Sequence, residues 1–352
     1  MTEQEKNLKE AKYYKKDFKG NKKTVQCVLC PYCCVIPEGG IGNCHARKNI
    51  EGKLYSLVYG KAVAASIDPI EKKPLFHFLP STGVYSVGTI GCNLHCLHCQ
   101  NFNTSQALKG TYNEFDLSPE KIVKEAIAND CASIAATYNE PTIFFEYMID
   151  IFKLAKKKGL KTVMVTNGYM NKEPAEELAP YLDGLNIDLK AFNDKFYKEI
   201  SGGAKLQPVL DMIKFWHGKK KWVELTTLII PTLNDDLVEI EKMCRWIIEN
   251  VGDEMPLHFT AFYPTYKLID KKPTSEKILV RAFEIAKKSG IKYVYVGNIY
   301  AGDKEHTFCP KCGKVVVKRI AYNIMEINIK KGKCSFCKES IPGVWSLTKF
   351  KN

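Results

Sequence analysis

The chain has 352 residues, 45% of them hydrophobic, with a formal net charge of +13 and 14 cysteines. That length supports one main domain of roughly 200–250 residues with appendages. No apolar run is long enough to cross a bilayer, and the charged stretch Met1–Glu10 lacks the apolar centre of a secretory signal. Cysteines grouped mainly as C-x2-C pairs outside a secreted context point to metal rather than disulfides, and to a reduced, cytoplasmic protein. Bound to metal they are thiolates, so the effective charge is less basic than the formal +13. Lysines are spread along helical stretches (156–158, 219–221, 271–272) rather than gathered beside aromatic rings, which favours a solvated surface over a nucleic-acid face.

In chain order, residues 1–80 carry a charged leader and a cysteine-rich segment with Cys27, Cys30, Cys33, Cys34 and Cys44. Residues 81–300 alternate short apolar strands with amphipathic helices, the signature of βαβ units around a parallel sheet. Strands are predicted at Val84–Ile90, Ala132–Ala136, Thr162–Val165, Gly184–Ile187, Trp222–Ile229, Leu257–Phe262 and Lys292–Val296. Helices are predicted at Ser118–Ala128, Thr142–Lys158, Glu173–Ala179, Lys205–Trp216, Leu237–Glu249 and Ser275–Ser289. Residues 301–352 change character, with Cys309-x2-Cys312 and Cys334-x2-Cys337 on either side of the strand-like Lys314-Val-Val-Val-Lys-Arg319.

The first strand runs into Thr89-Ile-Gly-Cys-Asn-Leu-His-Cys-Leu-His-Cys-Gln-Asn101. Iron–sulfur clusters are held by thiolates, normally four to a four-iron cluster, so the C-x3-C-x2-C of Cys92, Cys96 and Cys99 leaves one iron for a non-protein ligand. At this cysteine content the spacing should arise by accident roughly 0.02 times. Ligands of parallel α/β sheets bind at the carboxyl ends of strands. Four strands here end in polar runs: Thr137-Tyr-Asn-Glu-Pro-Thr142, Thr166-Asn-Gly168, Asp188-Leu-Lys190 and Ile230-Pro-Thr-Leu-Asn-Asp235. The four C-terminal cysteines fit a zinc ribbon, a fold that so polar a segment needs a metal to hold. The N-terminal set suits zinc or a second cluster. His77, His258 and His306 are weaker candidates, and Cys131 and Cys244 read as buried thiols.

These motifs resemble the radical SAM superfamily, in the branch around pyruvate formate-lyase activating enzyme. Within it the whole chain is similar to the radical SAM enzyme of the AmmeMemoRadiSam system. That group shares C-x2-C-P-x2-C-x-I-x2-G-x2-G-x-C, found from Cys27 to Cys44, and C-P-x-C-G with G-K-C-x2-C and I-P-G-V-W, found from Cys309 to Trp345. The resemblance implies a partial (β/α)6 TIM-like barrel with small cysteine-rich metal-binding segments at both ends. It implies a [4Fe-4S] cluster on Cys92, Cys96 and Cys99 whose open iron chelates S-adenosylmethionine. Reductive cleavage then gives a 5′-deoxyadenosyl radical that abstracts hydrogen from a sizeable, protein-like substrate, with flavodoxin or ferredoxin as reductant. Carried over by position, Asn139 and Glu140 meet the cofactor's amino group, Lys190 its carboxylate, and Asn167 and Asp188 its methionine part or ribose hydroxyls. The family pattern selects Cys27, Cys30, Cys34 and Cys44 as one metal set, leaving Cys33 spare, and Cys309, Cys312, Cys334 and Cys337 as another. The implied metals are zinc at one or both sites, or a second cluster at the first. This chain departs from the pattern at His98, where many members have an aromatic residue, at Tyr138-Asn139 in place of paired glycines, and at Val165 in place of an acid. The alternatives are a glycyl-radical-enzyme activating enzyme and, in another class, a zinc-ribbon protein binding nucleic acid or a partner.

Overall fold

An antiparallel strand, β1 (Ala64–Pro69), opens an eight-stranded sheet that continues through seven parallel strands. These are β2 (Gly83–Gly88), β3 (Ser133–Ala136), β4 (Lys161–Thr166), β5 (Gly184–Asp188), β6 (Trp222–Ile229), β7 (Leu257–Ala261) and β8 (Val294–Gly297). They pair in strict sequence order, from Ile134 beside Tyr85 to Phe259 beside Val296. The computed structural model describes residues 8–20 and 23–347, so the start of the charged leader lies outside the described residues. Helices cover the outer face, and strands buried on both sides need no polar alternation: every residue of β3 and of β7 is buried.

Among the described residues, six helices of seven residues or more fill the connections: α1 (Pro119–Ala128), α2 (Phe145–Lys157), α3 (Lys172–Leu178), α4 (Leu206–Gly218), α5 (Leu237–Val251) and α6 (Glu276–Ser289). Ser118 caps α1 through its hydroxyl, which accepts from the Lys121 N–H, and Asp236 caps α5 by accepting from Val238 and Glu239. The second helix starts three residues later than the periodicity predicts. A 3₁₀ turn, Pro141–Phe144, comes first because the Glu140 carboxylate accepts from the Thr142 N–H. The result is the expected partial (β/α)6 TIM-like barrel. Strand β1 went unpredicted, since two of its six residues are Asp68 and Pro69 and half of it is exposed. No ladder joins β8 to β1 among the described residues, so the barrel stays open on one side.

Residues 70–79 cross the amino-terminal end of the barrel. Phe78 lies so close to Gly184 that a Cβ there would meet its ring at 2.8 Å. The buried Glu224 carboxylate, inside β6, accepts from the backbone of Phe76 (3.0 Å) and His77 (2.8 Å), from Trp222 (2.9 Å) and from His258 (2.7 Å). His258 thus belongs to the plug, and His77 also bonds Pro342 O and Tyr295 Oη.

The C-terminal segment forms a three-stranded antiparallel sheet from Thr307–Phe308, Val315–Ile320 and Asn323–Ile327. Buried Arg319 docks it, donating to Phe76 O (2.8 Å) and Thr307 Oγ1 (2.8 Å) with its guanidinium over the Phe76 ring. At the other end, two small sheets carry the N-terminal cysteines. Arg47 fastens them to α2 by a two-pronged bond to Glu146, both side chains 1% exposed. A pair buried so deeply fixes position at a large desolvation cost. No helix among the described residues is long and apolar enough to cross a membrane.

Candidate active site

The loop Cys92–Cys99 leaves the carboxyl end of β2 and is held from three directions. Asn139, just past β3, accepts from Thr89 N (3.2 Å) and donates to Thr89 Oγ1 (3.0 Å) and Gly91 O (2.7 Å). Asn167, just past β4, donates to Asn93 Oδ1 at 2.8 Å, with its amide 3.9 Å from Cys92 Sγ, and Asn93 in turn donates to Tyr169 O. His95 bonds Gln106 Oε1 and Asn43 O, tying the loop to the N-terminal segment. Gly91 has φ +88, and a Cβ there would stand 2.4 Å from Cys44 O, so only glycine fits this close approach.

A cavity of about 840 Å³ opens in front of the loop, lined by Cys92, Cys96 and Cys99 and reaching down to Phe76 and His258. Glu140 is buried beneath it: Oε1 accepts from Thr142 N, Thr142 Oγ1 and Thr166 Oγ1, and Oε2 from Asn167 N at 2.7 Å. That leaves Oε2 as the oxygen with capacity for a further donor. Asn139 and Asn167 spend their amides on bracing, with Asn167 Oδ1 accepting from Tyr169 N. Lys190 follows β5 with its side chain 14% exposed and its ammonium 2.9 Å from Asp188 Oδ2. Burial lowers its pKa, and Asp188 together with the nearby Cys96 more than offsets that, so it stays charged. The ammonium lines the cavity rather than pointing to bulk water.

Burial pushes the Cys92 and Cys96 thiols up, the first well above the ordinary value, although Lys190 opposes the rise at Cys96. Three thiols at a cavity wall, Cys96 buried and Cys92 and Cys99 half-buried, become thiolates when a cationic centre binds them. Their sulfurs are not packed as around one ion, since among the described residues only the four C-terminal cysteines bring three or more ligand atoms within 4.8 Å of one another. The donor set and the free volume therefore fit a cluster with a ligand beside it. His98, on the same wall, is buried with its Nδ1 unpartnered, and burial followed by the Lys190 charge pushes its pKa down to about 3.

A profile of the Radical SAM superfamily matches residues 86–247. An uncharacterized protein of Methanocaldococcus jannaschii is 42% identical over 336 residues, covering 95% of this chain and 99% of that protein. A putative glycyl-radical enzyme activating enzyme of the same organism is 31% identical over 206 residues, covering 57% of this chain and 75% of its own length. The chain belongs to the radical SAM superfamily. Its fold agrees with that of Streptococcus suis SuiB solved with S-adenosylmethionine, at a TM-score of 0.50 and 17% identity over 68% of this chain and 56% of SuiB. Membership in this superfamily makes it an enzyme using a [4Fe-4S] cluster and S-adenosylmethionine.

Sequence reading missed a second group on the cavity wall. Asp68 of β1 accepts from Lys72 (2.8 Å), Lys73 (2.7 Å) and Tyr138 (2.7 Å), and the Lys73 ammonium lies over the Tyr138 ring. These hydrogen bonds outweigh burial and hold the Asp68 carboxyl well below the usual range. Lys72-Lys73 carried no motif, and only the antiparallel pairing of β1 brings Asp68 beside Tyr138. Ile320 and Tyr322 of the ribbon and Tyr300 also line the cavity, with Tyr322 near enough to Lys72 to favour its charged form.

The four C-terminal cysteines converge: Cys309 and Cys337 sulfurs are 3.5 Å apart, and those of Cys312 and Cys334 3.9 Å. A tetrahedral ion with bonds of about 2.3 Å needs edges of about 3.8 Å. Cys131 and Cys244 are buried apart from any such set, and His306 is half-buried.

Proposed function

We propose that Cys92, Cys96 and Cys99 hold the site-differentiated [4Fe-4S] cluster and that S-adenosylmethionine fills the adjoining part of the cavity. The single observation that carries this reading is the convergence of Cys92, Cys96, Cys99 and Lys190 on one cavity at the carboxyl ends of the strands. When bound, cluster and cofactor supply one-electron cleavage of the sulfonium, yielding a 5′-deoxyadenosyl radical for hydrogen abstraction. The chain's own residues position and shelter that chemistry. The Lys190 ammonium keeps two N–H donors beyond its bond to Asp188, enough to reach a carboxylate. Asp188 is half-exposed and suited to ribose hydroxyls, and Glu140 Oε2 to an ammonium. Asn139 and Asn167 act by bracing the loop, and the amide of Asn167 beside Cys92 Sγ stabilises the thiolate.

The substrate enters beside Lys72, Lys73 and the ribbon residues Ile320 and Tyr322, which all line the cavity. A cavity of about 840 Å³, with Tyr300, Ile320 and Tyr322 among its lining, suits a protein segment or another sizeable substrate. The motifs at Cys27–Cys44 and Cys309–Trp345 support the radical SAM enzyme of the AmmeMemoRadiSam system as the finer assignment. In this reading, residues 1–80 are a cysteine-rich N-terminal unit, 81–300 the catalytic barrel and 301–352 a zinc ribbon, in a cytoplasmic protein served by flavodoxin or ferredoxin. The name of the 31%-identical relative keeps the glycyl-radical-enzyme activating reading as the second.

The test is anaerobic incubation of reconstituted protein with S-adenosylmethionine and dithionite. We expect 5′-deoxyadenosine from the wild type and none from Cys92→Ala, Cys96→Ala or Cys99→Ala, since removing one of three ligands leaves no stable cluster. Wild-type product formation by any of these variants would sink the assignment.

A further inference from the structure

Just past β1, two lysines of the cavity lining share one carboxylate. Asp68 Oδ1 accepts from Lys72 at 2.8 Å, and Oδ2 accepts from Lys73 and from Tyr138, each at 2.7 Å. The Lys73 side chain is 3% exposed, that of Asp68 6% and that of Lys72 48%. Two other carboxylates of the lining are engaged elsewhere. Glu71 accepts from Ser81 N and Glu305 from Ala321 N, and neither pairs with Lys72 or Lys73 among the described residues. Burial also pushes the Glu71 pKa up, which disfavours its charge. The group of Asp68, Lys72 and Lys73 thus carries one positive charge more than it balances, with Lys73 held out of water. A surplus charge so placed is costly until a partner of opposite sign meets it. Burial lowers the Lys73 pKa from its ordinary 10.5, and the bond to Asp68 opposes the fall.

A second, independent observation is the backbone of Tyr138, which has φ +73 two residues after β3. A bulky residue is rarely held in this left-handed region, and such strain persists only where the surroundings enforce it. Here Asn101 Nδ2 donates to Tyr138 O, and Asn139, next in the chain, braces the cysteine loop. The turn sends the phenol to Asp68 and lays its ring 4.7 Å from the Lys73 ammonium. A glycine would make this turn without strain but would supply neither contact. Lys73 is therefore fixed by a carboxylate and a ring, and its ammonium keeps an N–H to donate.

We infer that Lys73, with Lys72 beside it, forms a subsite for an anionic oxygen group of the substrate, a carboxylate or a phosphate. Asp68 and Tyr138 are positioning residues, which orient the ammonium and leave the ligand to it. The inference rests on the function proposed above and deepens it, by naming the charge that the substrate of this cavity carries.

The test is anaerobic calorimetric titration of inorganic phosphate and, separately, of glutarate into reconstituted protein saturated with S-adenosylmethionine. We expect saturable binding of at least one anion to the wild type, and the tighter of the two names the source of the group. Lys73→Met should bind that anion at least about tenfold more weakly, as befits a lost charge-assisted bond. Its affinity for S-adenosylmethionine should stay within about threefold of wild type. Binding of neither anion by the wild type, or undiminished anion binding by Lys73→Met, would overturn the subsite. A tenfold loss of S-adenosylmethionine affinity in Lys73→Met would also overturn it, by giving the ammonium to the cofactor's own carboxylate. If Lys73→Met takes up no iron, Lys72→Met decides in its place, since removing the more exposed lysine also cancels the surplus charge, and wild-type anion affinity there would overturn the subsite. Formation of 5′-deoxyadenosine by the wild type, measured on the same preparation, reports separately on the cofactor reading.

Discussion

Lys190→Met tests the geometry of the cofactor site most directly. The change keeps the aliphatic stem and removes an ammonium that is 14% exposed, held 2.9 Å from Asp188 and lining the cavity beside Cys96. One of its three protons serves Asp188, so the bond at stake is a charge-assisted contact to the cofactor carboxylate, worth about 1.5–3 kcal/mol. At about 1.4 kcal/mol per decade, that predicts roughly 10- to 150-fold weaker binding. The fold should tolerate the loss, because Asp188 is 37% exposed and can rehydrate, so breaking the pair costs less than about 1 kcal/mol. The assay is anaerobic titration of S-adenosylmethionine into reconstituted protein, with iron content and cluster spectrum checked in parallel. Affinity within about threefold of wild type, at unchanged iron content, would refute the reasoning by showing that the ammonium serves only Asp188.

Three further outcomes follow from other parts of the structure. Cys309→Ser should release one zinc from the ribbon with iron unchanged, because separate sites fold around separate ions; elemental analysis checks this, and loss of about four irons would mean that the ribbon carries a cluster. Gly91→Ala places a methyl 2.4 Å from Cys44 O at φ +88, so we expect a loss of about 1–3 kcal/mol from the backbone alone and a shifted urea midpoint; an unchanged midpoint would refute the close approach. His77 is fully buried among Glu224, Arg319, His258 and Tyr295, and burial, partly opposed by Glu224, pushes its pKa down to about 4. A depressed folded pKa means stability is complete above the unfolded value near 6.5 and falls by about 3 kcal/mol as pH drops from there to about 4. Urea midpoints across that range should decline in the wild type and flatten in His77→Gln, and equal slopes would refute the assignment.

The sequence by itself determined the barrel, because alternating apolar runs and amphipathic helices encode local periodicities that the sheet then preserves. Seven strands and six helices fall where their spacing placed them, with ends shifted by capping groups such as Glu140 before α2. It also marked Cys92, Cys96 and Cys99, since their ligand spacing is local. What it could not decide depends on contacts distant along the chain. Glu140 and Thr166 meet, as do Asp68 and Tyr138, only because neighbouring strands bring their ends together. The polar plug of Glu224, His77 and His258 draws on three separate segments, and Arg319 reaches Phe76 across 243 positions. Whether four cysteines bring their sulfurs together or hold them further apart is likewise absent from their spacing. It follows from how the backbones of two distant C-x2-C pairs converge in the ribbon, and from how Arg47 and Glu146 hold the N-terminal segment against α2.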